Sequence, residues 1–135
     1  MSRASLLIRS LWTACLFAAG ANHARILILH GWWWDYGGAP WPSAAYWTAL
    51  TFLDPLVAAL LFVLPRTSVV ATVALIGSNV VHNLAFTAQR TSAPDFVRLL
   101  ATDWHPIAQI AFLLFTLATA RIAWAAAGSN QPSRT

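Results

Sequence analysis

The residues best placed to do chemistry lie in Gly77-Ser78-Asn79-Val80-Val81-His82-Asn83, where strong hydrogen-bonding side chains interrupt a run apolar enough to cross a bilayer. At about 3.6 residues per turn, Asn79, His82 and Asn83 fall on one helix face, with Thr72 and Phe86 along the same stripe. Hydrocarbon offers such groups no partner, so the stripe must face other helices, water or a ligand. Asp54 is the sharpest single residue, because an ionised carboxylate at membrane depth costs roughly 2.5–3.5 kcal/mol on insertion scales unless it is paired or protonated. With His82 as its partner, Asp54 points to general acid–base or proton-relay chemistry. Paired instead with Arg25, or bonded to His82 or Asn83, it would only fix helix packing.

The other polar residues of the apolar runs enter the same layer. Counting back from the outer interface at about 1.5 Å per residue, Arg25 and Asp54 lie roughly 10 Å deep, with His82 slightly shallower and His23 slightly deeper. Near the C-terminal end His105, Gln109, Phe112, Thr116 and Thr119 recur at heptad-like spacing, which brings Gln109 to that depth. The expected ligand-binding set is therefore His23, Arg25, Asn79, Asn83 and Gln109, with Asp54 and His82 as the candidate catalytic pair. All four histidines fall in the outer half, and between its ends the inner half carries almost no ionisable group. That asymmetry suits a cavity open to the outer face or outer leaflet better than a pore through the whole membrane.

No cofactor is predicted, although two ligand sets qualify by type. His23 and His82 could hold a b-type haem across a bundle, and His30, Asp35, Asp103 and His105 could make an outer zinc or copper site. Neither set has a diagnostic spacing, and no G-x-S-x-G, Walker or H-E-x-x-H pattern occurs. The single cysteine, Cys15, excludes an internal disulfide and a dithiol redox pair.

These side chains must be positioned by membrane-spanning helices. Of 135 residues 59% are hydrophobic and 9% charged, far below the roughly 25% charged residues of a soluble domain. The net charge of +4 comes from eight arginines against four aspartates, without lysine or glutamate. The arginines are scattered singly beside apolar runs, which marks topology and excludes a phosphate-tracking nucleic-acid surface.

The pattern predicts an all-α, integral membrane four-helix up-down bundle in one domain over residues 1–128, with helices at about 5–30, 43–64, 67–89 and 104–127. Ser43, Thr67 or Ser68, and Asp103 are the expected N-caps. Asp54-Pro55 should kink the second helix. Residues 91–102 read as a brief interfacial helix, and residues 129–135 as a disordered tail. The small residues Ala18-Ala19-Gly20-Ala21 resemble a signal cleavage site, but Ile26-Leu27-Ile28-Leu29 continues the apolar segment and favours an uncleaved first span.

Arginine bias places both termini in the cytoplasm, with Arg3, Arg9, Arg66, Arg121 and Arg134 inside and Arg90 and Arg98 outside. Trp12 and Trp124 mark an inner aromatic belt. Trp32, Trp33, Trp34, Trp41, Trp47 and Trp104 mark an outer one.

The leading expectation is a small multi-pass inner-membrane protein that binds a small or lipid-like ligand in the outer half of its bundle, in contact with the lipid bilayer and able to form a homo-oligomer. The alternatives are a membrane-embedded enzyme with isomerase-like acid–base chemistry, a transporter or assembly subunit, and a b-type haem protein. In outline the chain resembles the sterol-isomerase type of four- or five-helix membrane proteins and the small DoxX-like bacterial proteins. The resemblance is architectural, without a shared motif, and implies no site residues.

Overall fold

The computed structural model describes residues 2–125, which form an all-helical structure with no strand among them. Five helices follow in order: α1 (Arg3–His30), α2 (Trp41–Val63), α3 (Pro65–Arg90), the short α4 (Ala93–Thr102) and α5 (Trp104–Ala125). Four of them, α1, α2, α3 and α5, are long and apolar enough to cross a membrane. The expected tail at 129–135, and the last residues of the expected fourth helix, lie outside the described residues.

The long helices close a ring in which α1 packs on α2 and α5, and α3 on α2 and α5. The core runs down its middle, with Trp12 and Leu16 of α1, Val57, Ala58 and Leu61 of α2, Val69, Ile76 and Val80 of α3, and Ala123 of α5. Outward faces carry exposed Leu, Val, Ile and Phe side chains such as Leu7, Phe52, Leu56, Val70 and Leu114, as a lipid-facing surface requires.

Two helices begin earlier than their expected caps. The start of α2 is Trp41 rather than Ser43, with Pro40 at the N-cap and its carbonyl accepting from the amides of Ser43 at 2.9 Å and Ala44 at 3.1 Å. Similarly α3 starts at Pro65, before Thr67. Proline has a φ already suited to the first turn and no amide to leave orphaned, so it opens a helix without a side-chain cap. Ser68 and Thr72 turn their hydroxyls back to the carbonyls of Leu64 and Ser68, both at 2.8 Å, which satisfies them inside the bundle.

The connection at 91–102 does hold a helix, α4, capped by Ser92, whose Oγ accepts from the Asp95 amide at 3.3 Å and donates to the Asp95 carboxylate at 2.7 Å. At its far end Asp103 accepts from the amide of His105 at 2.9 Å, the bond expected of a residue capping α5.

The α1–α2 crossing depends on a missing side chain. A Cβ on Gly20 would sit 2.9 Å from Pro55 Cδ and 3.4 Å from Asp54 Cβ. The small-residue stretch at 18–21 is therefore continuous helix in α1, and Gly20 lets α2 approach where Pro55 interrupts its ladder.

Arg9 differs most from expectation. Expected among the arginines that mark the cytoplasmic side, it is fully buried. Its Nη1 donates to the Leu61 carbonyl at 3.2 Å and its Nη2 to Ser5 Oγ at 3.1 Å, and Ser5 Oγ donates to the Ala123 carbonyl at 3.4 Å. The end of the bundle that holds the start of α1 thus buries a charged side chain. A guanidinium near a helix end normally snorkels, but here small and carbonyl-bearing neighbours on three helices enclose it.

Candidate functional site

The polar layer is assembled from three helices. On α2, Trp47 donates its indole N–H to Asn83 Oδ1 of α3 at 2.7 Å. Asn83 Nδ2 donates in turn to Asn79 Oδ1 at 3.1 Å and to Gln109 Oε1 of α5 at 3.0 Å. Asn79 and Asn83 meet because a spacing of four places them one helical turn apart on one face. Gln109 completes the layer from the heptad stripe of α5.

Three cavities surround this network. One of about 350 Å³ lies between α1, α3 and α5, with Ala18, Ile76, Val80 and Phe112 as apolar walls and His23, Asn79 and Gln109 as polar ones. A second, of about 290 Å³, lies beneath the 31–40 connection and is lined by His23, Ile26, Trp34, Tyr36, Trp47 and Asn83. A third, of about 270 Å³, opens toward α4 and shares Asn83, His105 and Gln109 with the others. His23 therefore borders two cavities, and its Nδ1 is buried without a hydrogen-bond partner. Four residues of the expected ligand-binding set, His23, Asn79, Asn83 and Gln109, come together here.

The remaining candidates sit apart. Asp54 is 2% exposed on the α2 face turned to α1, against Gly20. Its carboxylate has no ion pair or hydrogen bond among the described residues, and Arg25 is exposed and pairs with no carboxylate there. His82 packs its ring against Tyr46, with centroids 4.5 Å apart, and against the edge of Trp47 at 5.5 Å. Its Nε2 is buried and unpartnered, and no hydrogen bond joins it to Asp54. None of the three cavities is lined by Asp54, His82 or Arg25.

The metal-type candidates are likewise dispersed. Among the described residues no three His, Cys, Asp or Glu side chains converge. His30 stacks on Trp34 at 3.9 Å, the Asp35 carboxylate accepts from the Gly37 amide at 3.1 Å, and Asp103 pairs with His105 Nδ1 at 3.0 Å. The backbone and ring N–H groups of His105 hold the Asp103 carboxyl below its ordinary value of 3.8.

Trp47 is the participant that sequence reasoning missed. Belt placement assigns it to the outer interface, yet it donates the shortest bond of the network and lines two cavities. The available signal was its seven-residue spacing from Asp54, which places both on the inward face of α2.

Chemically, the arrangement offers amide and imidazole groups to a molecule held among apolar walls. Compared with known protein families, curated proteins and solved structures, the chain matches none.

Proposed function

We propose that this chain is a multi-pass inner-membrane protein, an up-down bundle with both termini in the cytoplasm, that binds a small lipid-like molecule in the outer half between α1, α3 and α5. Bonds such as Arg9 to Leu61 and Ser5 to Ala123, which join the start of α1 to the ends of α2 and α5, support the up-down order. The observation that carries the binding reading is the cavity of about 350 Å³, because apolar walls with a few convergent polar groups are what a lipophilic ligand needs.

Native mass spectrometry of the detergent-purified protein tests it. A co-purified small molecule is expected, and it should be lost in Ala18→Phe, which fills the cavity. A wild-type protein that is empty whenever it is extracted, and that takes up no membrane lipid on incubation, overturns the reading.

A second reading makes Asp54 and His82 an acid–base pair. It is supported by the buried, unbonded Asp54 carboxylate and the unpartnered His82 Nε2. On this reading Asp54→Asn folds but abolishes turnover of the co-purified molecule. Retained turnover removes the pair from the mechanism.

A further inference from the structure

The hydrogen-bonding polarity of the Asn79 and Gln109 wall of the cavity between α1, α3 and α5 follows from a single atom. An indole N–H can only donate, so the atom of Asn83 that faces Trp47 Nε1 at 2.7 Å must be the amide oxygen. The other end of Asn83 is then its NH2 group, and both of its protons are used, toward Asn79 at 3.1 Å and Gln109 at 3.0 Å. A donor needs an acceptor opposite it, so Asn79 and Gln109 must each turn an oxygen toward Asn83.

Their own NH2 groups are left over. Among the described residues no hydrogen bond engages Asn79 Nδ2 or Gln109 Nε2, although both residues line the cavity. No Asp, Glu, Arg or Lys lines it. No hydrogen bond among the described residues occupies these two donors, and no fixed charge is present to neutralise an anion.

We propose that this cavity selects lipophilic carbonyl compounds, whose oxygen accepts from Asn79 Nδ2 and Gln109 Nε2 while the hydrocarbon lies against Ile76, Val80 and Phe112. The inference rests on the ligand-binding reading above and specifies its chemistry. A neutral acceptor with no proton to give satisfies the free donors and brings no unpaired donor of its own into an apolar space.

The test uses the full chain in detergent with 9-fluorenone and fluorene, which share a ring skeleton and differ by the carbonyl oxygen. Equilibrium dialysis against protein-free micelles corrects for partition. Fluorenone is expected to bind about tenfold more tightly than fluorene, as one good hydrogen bond in a dry site allows. Gln109→Met, which keeps the side-chain length and removes the donor, should cut that preference severalfold.

Asn83→Asp supplies a second variant. An ionised carboxylate only accepts, so it draws both NH2 groups toward itself, turns two oxygens to the cavity and abolishes the fluorenone preference. Equal binding of the two probes by the wild-type protein overturns the carbonyl inference and leaves the cavity reading standing. Binding of neither probe overturns both.

Discussion

The two halves of the bundle treat polar side chains in opposite ways. At one end Arg9 and Ser5 are buried to zero exposure and spend their hydrogen bonds on Leu61, Ala123 and each other. At the other, Asn79 and Gln109 use their oxygens on Asn83, leave their NH2 groups without a partner among the described residues, and line a cavity. Both halves hold orphaned atoms, since Arg9 Nε and Thr116 Oγ1 lack partners just as His23 Nδ1 does. The difference is between atoms, not halves, because His23 borders two of the three cavities while Arg9, Thr116 and His82 border none of them. An unpartnered polar atom is evidence for a ligand only where a ligand fits; elsewhere it is a cost of packing.

That contrast predicts unequal losses on truncation. Arg9→Ala empties a fully enclosed site and strands the Leu61 carbonyl, for about 3 kcal/mol. Gln109→Ala removes one bond beside existing space and should cost about 1 kcal/mol. Denaturant titration of both variants in the same detergent measures the gap, and equal losses would erase the distinction between the halves.

Gly20→Val probes the seam between them. Its Cβ alone would meet Pro55 Cδ at 2.9 Å, so overpacking of about 1–3 kcal/mol is expected. A neutral result in the same titration would mean that α1 and α2 part without penalty. Trp47→Phe should be milder, about 1 kcal/mol for the lost indole bond. Because it also frees Asn83 to rotate, the fluorenone preference should shrink in dialysis, which a purely structural loss would not cause.

The smallest effect belongs to Asp103, which is partly exposed and whose carboxyl lies below its ordinary value of 3.8 when folded. A lowered carboxylate pKa contributes stability above the ordinary value, and that contribution is lost as pH falls through the folded one. The melting difference between wild type and Asp103→Asn should therefore be present at pH 6 and shrink as the pH falls below 3.8. A difference that persists in acid would assign the effect to the amide substitution itself.

Much of this was legible before the structure. The i, i+4 spacing of Asn79 and Asn83 and the heptad stripe through Gln109 gave two sides of the polar layer, because helical periodicity converts spacing into faces. The long helices were legible from apolar length. Their starts at Trp41 and Pro65 were read two residues late, since polar caps are an alternative to proline openings and not a requirement.

The bonds made by Arg9 and Trp47 went unforeseen for a common reason. Rules that assign arginine and tryptophan to membrane boundaries rest on where such residues usually find water, and here each finds its partner on a neighbouring helix. Asp54 had no counterpart that sequence depth could supply. Depth estimates place residues in a layer, but the rotation of α1 leaves Arg25 exposed and puts Gly20 against Asp54 Cβ and Pro55.

The burial of Arg9 also bears on how the protein is made. The oxygens around it come from Leu61 and, by way of Ser5, from Ala123, positions 52 and 118 residues along the chain from their donors. When α1 leaves the ribosome neither exists, and its guanidinium must wait in water or among headgroups. It can retract only after α2 has folded back, and its enclosure closes only when α5 arrives. The burial of Arg9 in α1 is thus completed by spans that are translated after it.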